Sequence, residues 1–317
     1  MDIETGAVLA LQILALCSIV AALLAYLMRQ TRSASVDAEM YGKRHVLVTS
    51  CDTCIGLQLA LALSEAGYKV FAGLLEPNGN SHAVKILRAV EQQRKRAKDL
   101  ESVEDSPPLE SRATGQIVLL ELDSTREDSL HAGLDAIRAK LPAGEDGLWA
   151  VMHTGGLALP GIIERQSSSA WESMLRHNLV APLRTARVFI PLLRAKRGRI
   201  ILLGDSDYAT KAGSGLVAFS ASRKAVEGAA EALRAELASS GVDVVLLKPP
   251  IVNPLTLYAP PTLQACSKES TIDSTEGTWV APLSAESVKQ SLIPALTSTC
   301  PYQCYDMSKK SKLIFCR

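Results

Sequence analysis

The chain lacks an excess of charge of either sign. Lysine and arginine together number 34 and aspartate and glutamate 33, so the formal net charge is +1. Domains that bind nucleic acid carry a basic patch that attracts the phosphate backbone. The balanced composition therefore predicts no nucleic-acid partner, and no internal repeat indicates a repeat architecture.

A disulfide framework and a complete metal-binding motif are also missing. The seven cysteines are odd in number and scattered, which favours reduced thiols in a domain that faces the cytosol. Cys51 and Cys54 form one C-x-x-C, half of a zinc or redox motif, but no second C-x-x-C or nearby histidine pair completes it. We interpret them as two thiols in a loop and predict no metal site.

One long apolar run stands at the N-terminus. Gly6–Met28 carries no charge and a single Gln12, and as a helix it would cross about 30 Å of hydrocarbon. Asp2 and Glu4 precede it, unlike the basic start of a secretory signal. The positive-inside rule places the remainder in the cytosol, because basic residues follow the run: Arg29, Arg32, Lys43 and Arg44. We predict a single-pass membrane anchor over 1–30, in the endoplasmic reticulum, and a linker over 31–43.

Beyond the linker, short apolar runs alternate with amphipathic stretches. This order predicts one α/β domain over 44–306, with a parallel sheet covered by helices on both faces. The predicted strands are Arg44–Ser50, Tyr68–Gly73, Gln116–Leu122, Leu148–His153, Ile200–Leu203 and Val242–Lys248. The predicted helices are Gly56–Ala66, Ser81–Leu100, Arg126–Lys140, Ala170–Leu193, one from Val217 and Ala285–Leu296.

Composition marks three segments outside this alternation. Residues 101–115 are acidic and contain a Pro-Pro, which predicts a surface insertion. Residues 254–283 are rich in Pro, Ser and Thr and lack periodicity, which predicts a loop that covers a pocket. Residues 307–317 form a basic tail.

Four stretches carry a resemblance to known proteins. Residues 68–80 read YKVFAGLLEPNGN, 157–164 read LALPGIIE, 171–200 read WESMLRHNLVAPLRTARVFIPLLRAKRGRI and 295–306 read ALTSTCPYQCYD. They are similar to the membrane-associated branch of the short-chain dehydrogenase/reductase family, which includes retinol, 17β-hydroxysteroid and 3-hydroxybutyrate dehydrogenases. The resemblance implies a Rossmann-type doubly wound sheet, a nicotinamide cofactor and a lipophilic alcohol or ketone. It also allows a homodimer.

The turn after the first strand resembles the T-G-x-x-x-G-x-G cofactor loop of that family. Backbone N–H groups at such a strand–turn–helix junction bind phosphate. Thr49 and Gly56 match the motif, whereas Ser50 and Cys54 stand at glycine positions. A left-handed backbone costs a non-glycine residue about 1–2 kcal/mol, so we expect the dinucleotide to bind weakly or not at all.

Two further positions bear on the cofactor. By resemblance Asp123 would bind the adenine amino group, and it would equally serve as an acid at a helix N-terminus. His153 replaces an asparagine beside the cofactor ribose, where either an acid–base or a structural role is open, the structural one being favoured. The second strand is followed by Glu76 with no arginine to pair a 2′-phosphate, which favours NAD(H) over NADP(H).

The family's catalytic residues map onto four positions. Ser206 stands at the serine and Asn178 at the helix asparagine, but Phe219 replaces the tyrosine and Arg223 the lysine. A tyrosine exchanges a proton with the reacting oxygen, and phenylalanine has no exchangeable proton. Arginine keeps the positive charge without being equivalent to lysine.

Three hypotheses follow from these residues. The first is a membrane-anchored oxidoreductase of steroid or retinoid type whose tyrosine-type catalysis is impaired. The second is a catalytically silent relative that binds a lipophilic ligand or a partner enzyme. An unrelated nucleotide-binding methyltransferase is disfavoured, because such folds do not carry this serine, asparagine and helix at these spacings.

Overall fold

The computed structural model describes residues 44–101, 115–212, 215–264 and 278–308, together with residue 20. Within these residues no helix is both long and apolar enough to cross a membrane. The predicted anchor Gly6–Met28 and linker 31–43, most of the insertion 101–115, and the tail from 309 lie outside the described ranges.

A seven-stranded sheet in the order β3-β2-β1-β4-β5-β6-β9 forms the centre of the fold. Every neighbouring pair in it is parallel. The strands are β1 His45–Val48, β2 Lys69–Leu74, β3 Ile117–Glu121, β4 Ala150–His153, β5 Arg199–Leu203, β6 Asp243–Lys248 and β9 Cys304–Asp306. A separate antiparallel pair consists of β7 Leu263–Gln264 and β8 Thr278–Trp279.

Helices cover both faces of the sheet. They are α1 Cys54–Glu65, α2 His82–Glu101, α3 Glu127–Lys140, α4 Ser168–Leu175, α5 Ala181–Lys196, α6 Tyr208–Ala212, α7 Val217–Leu237, α8 Pro254–Leu257 and α9 Ala285–Thr297. One apolar core packs α1, α2 and α9 on one face, and a second packs α3, α5 and α7 on the other. The central strands are buried on both faces, which explains their continuous apolar runs.

The predicted doubly wound parallel sheet is confirmed, with several differences in detail. The predicted helix Ala170–Leu193 is interrupted by one π-helical turn, Arg176–Val180. The predicted loop 254–283 contains α8 and the β7–β8 pair in its described part. The sequence did not predict β9, because a strand of three half-buried residues has no alternation long enough to detect.

Gln58 fastens the C-terminal part of the fold to α1. Its Nε2 donates to the Leu283 carbonyl at 2.6 Å, and its Oε1 accepts from the Leu283 N–H at 3.1 Å. The side chain is buried, so both backbone groups of Leu283 depend on it rather than on water. This pair holds the chain that follows β8 against the helix that begins at the centre of the sheet.

We expect Gln58→Leu to lower the free energy of unfolding by about 1–3 kcal/mol, because it leaves a buried N–H and a buried carbonyl unpaired. Urea denaturation followed by circular dichroism measures the change. Gln290 is partly exposed and its side chain donates to Glu286, so it provides the control Gln290→Ala, with an expected change within about 0.5 kcal/mol. Equal effects of the two substitutions would contradict the structural role of Gln58.

Candidate functional site

The strand order reverses between β1 and β4. Open α/β sheets bind ligands at such a reversal, outside the carboxyl ends of the strands, and we call this region the cleft. Thr49 joins the two loops at this point. Its Oγ1 accepts from the Thr154 N–H at 3.2 Å, and Thr154 Oγ1 donates to the Thr49 carbonyl. Thr49 is fully buried, so its hydroxyl fixes the floor of the cleft.

The loop after β1 keeps a glycine-like shape with a serine in it. Ser50 has φ +51°, the left-handed region in which glycine is favoured. A Cβ on Gly56 would lie 2.3 Å from the Ser50 carbonyl oxygen, so Gly56 allows the loop to close on the helix. Cys54 was also expected at a left-handed position; it is instead the first residue of α1, where its buried thiol fills space beside the turn.

Two of the first three N–H groups of α1 are bound within the chain. Thr53 caps the helix and its Oγ1 accepts from the Gly56 N–H at 3.1 Å. The Cys54 N–H donates to the carbonyl of Ala259 at 2.9 Å. Because free N–H groups at a helix N-terminus are what bind phosphate, the engaged amides leave this junction less able to do so.

His153 lies at the end of β4 and is buried. Its Nδ1 is 3.2 Å from Thr185 Oγ1 and 3.4 Å from Thr49 Oγ1, while its Nε2 has no partner in the described part of the chain. Burial, and secondarily the charge of Arg223, lowers the pKa of His153 to about 3. The imidazole is therefore neutral at physiological pH, as a structural histidine would be.

Arg223 is the largest fully buried side chain among the residues that the structure describes. Its Nη2 donates to the Gly155 carbonyl at 3.0 Å, and its guanidinium lies 4.5 Å from the ring centroid of Tyr258. Burial lowers the pKa of Arg223, against the opposing influence of Tyr258 and Asp205. A Cβ on Gly156 would clash with Nη2, so this glycine makes room for the arginine.

Phe219 is buried in an apolar cluster at the same end of the sheet. The cluster comprises Ala158, Met174, Leu216 and Phe219, with Leu157, Leu159, Trp171, Tyr208, Ala209, Ala218 and Tyr258 packed around them. The rings of Phe219 and Tyr258 lie 6.0 Å apart. Both the β4 loop and the start of α7 thus contribute an apolar wall to the cleft.

Asn178 connects this wall to α7. Its Oδ1 accepts from the Leu157 N–H at 2.8 Å, and its Nδ2 donates to the Leu157 carbonyl and to Ser222 Oγ, each at 2.9 Å. Asn178 lies in the π-helical turn, a feature that is frequent at functional sites. Here its amide holds the loop after β4 in place.

Ser206 is buried in the loop after β5, between two aspartates. Asp205 accepts a hydrogen bond from Ser220 Oγ at 2.8 Å, which fastens this loop to α7 one residue beyond Phe219. The second oxygen of Asp205, Oδ1, is buried without a partner among the described residues. Asp207, which has φ +55°, forms an ion pair with Lys224.

Asp123 lies apart from these residues, at the carboxyl end of β3. Its Oδ1 accepts from the Thr125 N–H at 2.9 Å and from the Thr125 hydroxyl at 2.7 Å, so it organises the turn before α3. It lines a cavity of about 820 Å³ along the sheet edge, together with Glu76, Arg88 and Arg126. The structure therefore shows a turn-forming role for Asp123 and groups it with Glu76.

Sequence reasoning missed Asp205, Ser222 and Tyr258. Ser222 was quoted only as part of the helix start, although the register of α7 places it one residue before Arg223, facing Asn178. Tyr258 had no local signal, because it follows Pro254 in a segment without periodicity and reaches the site only through the tertiary fold.

As arranged, these residues do not fit a nicotinamide dinucleotide. The Cys54 N–H, which would face the pyrophosphate, is bonded to Ala259. The ring of Tyr258 lies beside Gly156, where an added Cβ would come within 2.6 Å of it. The same ring lies against the guanidinium of Arg223. Besides the replaced glycines, the chain itself lies in the cleft, which is a second reason to expect weak cofactor binding.

Comparison with known proteins identifies relatives. A family model described as short chain dehydrogenase matches residues 95–259. Mouse D-beta-hydroxybutyrate dehydrogenase, mitochondrial, is 26% identical over 76% of this chain and 63% of its own. Rat retinol dehydrogenase 7 is 27% identical over 70% and 61%, and bovine 17-beta-hydroxysteroid dehydrogenase type 6 is 28% identical over 71% and 61%. The chain thus spans less than two thirds of the length of these relatives.

Among solved structures, the crystal structure of gox2181 aligns with a TM-score of 0.51 and 20% identity. The alignment covers 65% of this chain and 71% of that one, and at this identity it supports the fold alone. The family match extends over Asn178, Ser206, Phe219 and Arg223 and begins after the loop Thr49–Gly56.

The neutral His153 predicts a pH dependence of stability. Below the ordinary histidine pKa of 6.5 the unfolded chain takes up a proton that the folded chain does not, so stability falls as the pH drops from 6.5 towards 3. The slope attributable to this group is at most about 1.4 kcal/mol per pH unit. His153→Asn should flatten the dependence measured by urea denaturation between pH 4 and 6.5.

The neighbouring buried Met152 provides the control for a change in packing at the same strand. Met152→Leu should retain the slope of the unmodified chain. If His153→Asn retained it as well, the histidine would not be held neutral in the fold.

Proposed function

The chain belongs to the short chain dehydrogenase family, and from that premise we propose that it is an oxidoreductase. Its cleft takes a lipophilic alcohol or ketone of steroid or retinoid type, and its tyrosine-type catalysis is impaired. The substrate class is supported by the names of its relatives, retinol and 17-beta-hydroxysteroid dehydrogenases. The apolar cluster around Phe219 agrees with a substrate that has little polarity.

The observation that carries this proposal is the pair Phe219 and Arg223 at the start of α7. Phe219 is 3% exposed and Arg223 1%, and the guanidinium lies 5.7 Å from the phenyl ring. The cation that would support a proton donor is thus present beside a residue that has no proton to give. An alcohol that becomes a ketone must lose its hydroxyl proton, and here no side chain at this position accepts it.

NAD(H) is the cofactor that we propose, in preference to NADP(H). Glu76 follows β2, and no arginine stands beside it in the turn Leu75–Asn78 to pair a 2′-phosphate. Two guanidiniums line the same cavity: that of Arg88 donates to the Pro77 carbonyl, and that of Arg126 pairs with Asp128.

We expect the double substitution Phe219→Tyr with Arg223→Lys to raise the turnover of retinol or a 17β-hydroxysteroid with NAD by about 10²-fold or more, because it restores a positioned acid and its cation. Steady-state absorbance of NADH, with the full chain in detergent micelles, measures the rate. Phe219→Leu with Arg223→Lys changes the same positions without adding a hydroxyl and should stay at the rate of the unmodified chain. A double variant no faster than this control would contradict the assignment of the defect to these positions.

A catalytically silent relative that binds a lipophilic ligand or a partner enzyme is the second candidate. It is favoured by the hydrogen bond from the Cys54 N–H to Ala259, which occupies a group that a cofactor would need. The two candidates differ in one observable property: the oxidoreductase binds NADH and the silent relative does not.

We also propose that Gly6–Met28 anchors the protein in a membrane, with the α/β domain in the cytosol, and that this membrane is the endoplasmic reticulum. The proposal rests on the uncharged run and the basic residues that follow it. A mitochondrial membrane is the competing location, since the mouse relative is named as mitochondrial.

Alkaline carbonate extraction of cell membranes should leave the full chain in the pellet and release a variant that lacks residues 1–30. In permeabilised cells an epitope at the C-terminus should be reached when only the plasma membrane is opened, and it should co-localise with an endoplasmic-reticulum marker. Release of the full chain by carbonate would refute the anchor, and co-localisation with mitochondria would change the membrane.

A further inference from the structure

The short segment Tyr258–Pro261 crosses the cleft from one side to the other. Tyr258 contacts Gly156 and Arg223 at the end of β4, the Ala259 carbonyl accepts from Cys54 after β1, and the Pro261 carbonyl lies 3.2 Å from His82 Nδ1 after β2. The segment therefore passes the carboxyl ends of β4, β1 and β2 in turn. This is the path along which a dinucleotide lies at the switch point of such a sheet.

The polar groups beneath Tyr258 are poorly matched to an aromatic ring. Three buried atoms there have no hydrogen-bond partner in the described part of the chain: His153 Nε2, Arg223 Nε and Asp205 Oδ1. Buried polar groups are normally satisfied, and these comprise a donor, an acceptor and a ring nitrogen within one neighbourhood. Arg223 influences the pKa of His153, and Asp205 that of Arg223, which places the three side chains close together. The single hydroxyl of Tyr258 interacts with Arg223, and a ligand with several hydroxyls, such as a ribose, would satisfy more of these atoms.

The ends of the segment are held independently of the cleft. Leu257 before it is buried in the core, and Asn253 caps the short helix α8. After the segment, β7 pairs with β8. Tyr258–Pro261 itself is held by the carbonyl contacts of Ala259 and Pro261 and by the side chain of Tyr258, whose ring lies beside Phe219 and Arg223 and whose hydroxyl interacts with Arg223. Most of these contacts belong to one side chain, so its removal should release the segment from the cleft.

We propose that Tyr258–Pro261 is an internal stand-in for the dinucleotide, which occupies the cleft of the ligand-free protein and must be displaced before NAD(H) binds. The inference rests on the proposed function in its choice of ligand, whereas the occupancy of the cleft stands on the contacts described. The apparent dissociation constant of NADH then equals the intrinsic constant divided by the fraction of molecules in which the segment has left. Loosening the segment strengthens binding.

Two measurements on the full chain in detergent micelles test this. The first is the dissociation constant of NADH, from isothermal titration. The second is the rate at which N-ethylmaleimide modifies Cys54, resolved from the other cysteines by peptide mass spectrometry, because Cys54 is only 8% exposed and its N–H is bonded to Ala259 of the segment. Tyr258→Ala should lower the dissociation constant at least tenfold and raise the labelling rate at least tenfold. Leu255→Ala, an exposed position of α8 outside the cleft, should change neither.

The outcomes separate this inference from the proposed function. An unchanged labelling rate in Tyr258→Ala overturns the stand-in, whatever the affinity for NADH. If the unmodified chain already binds NADH tightly and Tyr258→Ala binds it no more tightly, the stand-in is also overturned, whereas NAD(H) is supported as the cofactor. Faster labelling without NADH binding at millimolar concentration supports a covered cleft and refutes NAD(H) as the ligand. Faster labelling with tighter binding supports both.

Discussion

The site depends on one buried cation. Arg223 has almost no contact with solvent, and a charge so placed is costly unless other groups compensate for it. The compensation comes from the Gly155 carbonyl and the face of Tyr258, and the absence of a side chain at Gly156 creates the necessary space. Tyr258, the loop after β4 and the start of α7 are thereby held in one arrangement.

The departures from the family's residues are physically connected. A phenylalanine at 219 provides an apolar neighbour for the ring of Tyr258, and an arginine at 223 has the reach to lie against that ring. With Tyr258 so placed, the next residue can offer its carbonyl to Cys54. The replacements at 219 and 223 and the residue Cys54 therefore all support one closed arrangement of the cleft, and they are not independent of one another.

The sequence was informative where local pattern determines structure. The six central strands, the positions of the long helices between them and the family were predicted correctly, because buried parallel strands are continuous apolar runs and the family's phrases are long. The short helix Tyr208–Ala212 was not predicted. The π-helical turn at Asn178, the strand β9 and the position of Tyr258 could not be predicted. Each of them depends on partners far away in the chain, such as Leu157, β6 and Arg223.

The parallel arrangement of the sheet has a consequence for how the protein would sit on a membrane. The chain enters at the amino end of β1 and β9 ends at the opposite, cleft-bearing edge, since all seven strands point the same way. A tether on the N-terminal side would hold the domain by the edge remote from the cleft. Thirteen residues, 31–43, reach about 43 Å when extended. With the proposed anchor, a linker of this length would let the cleft face the lipid, and the proposed lipophilic ligand would then reach it directly from the bilayer.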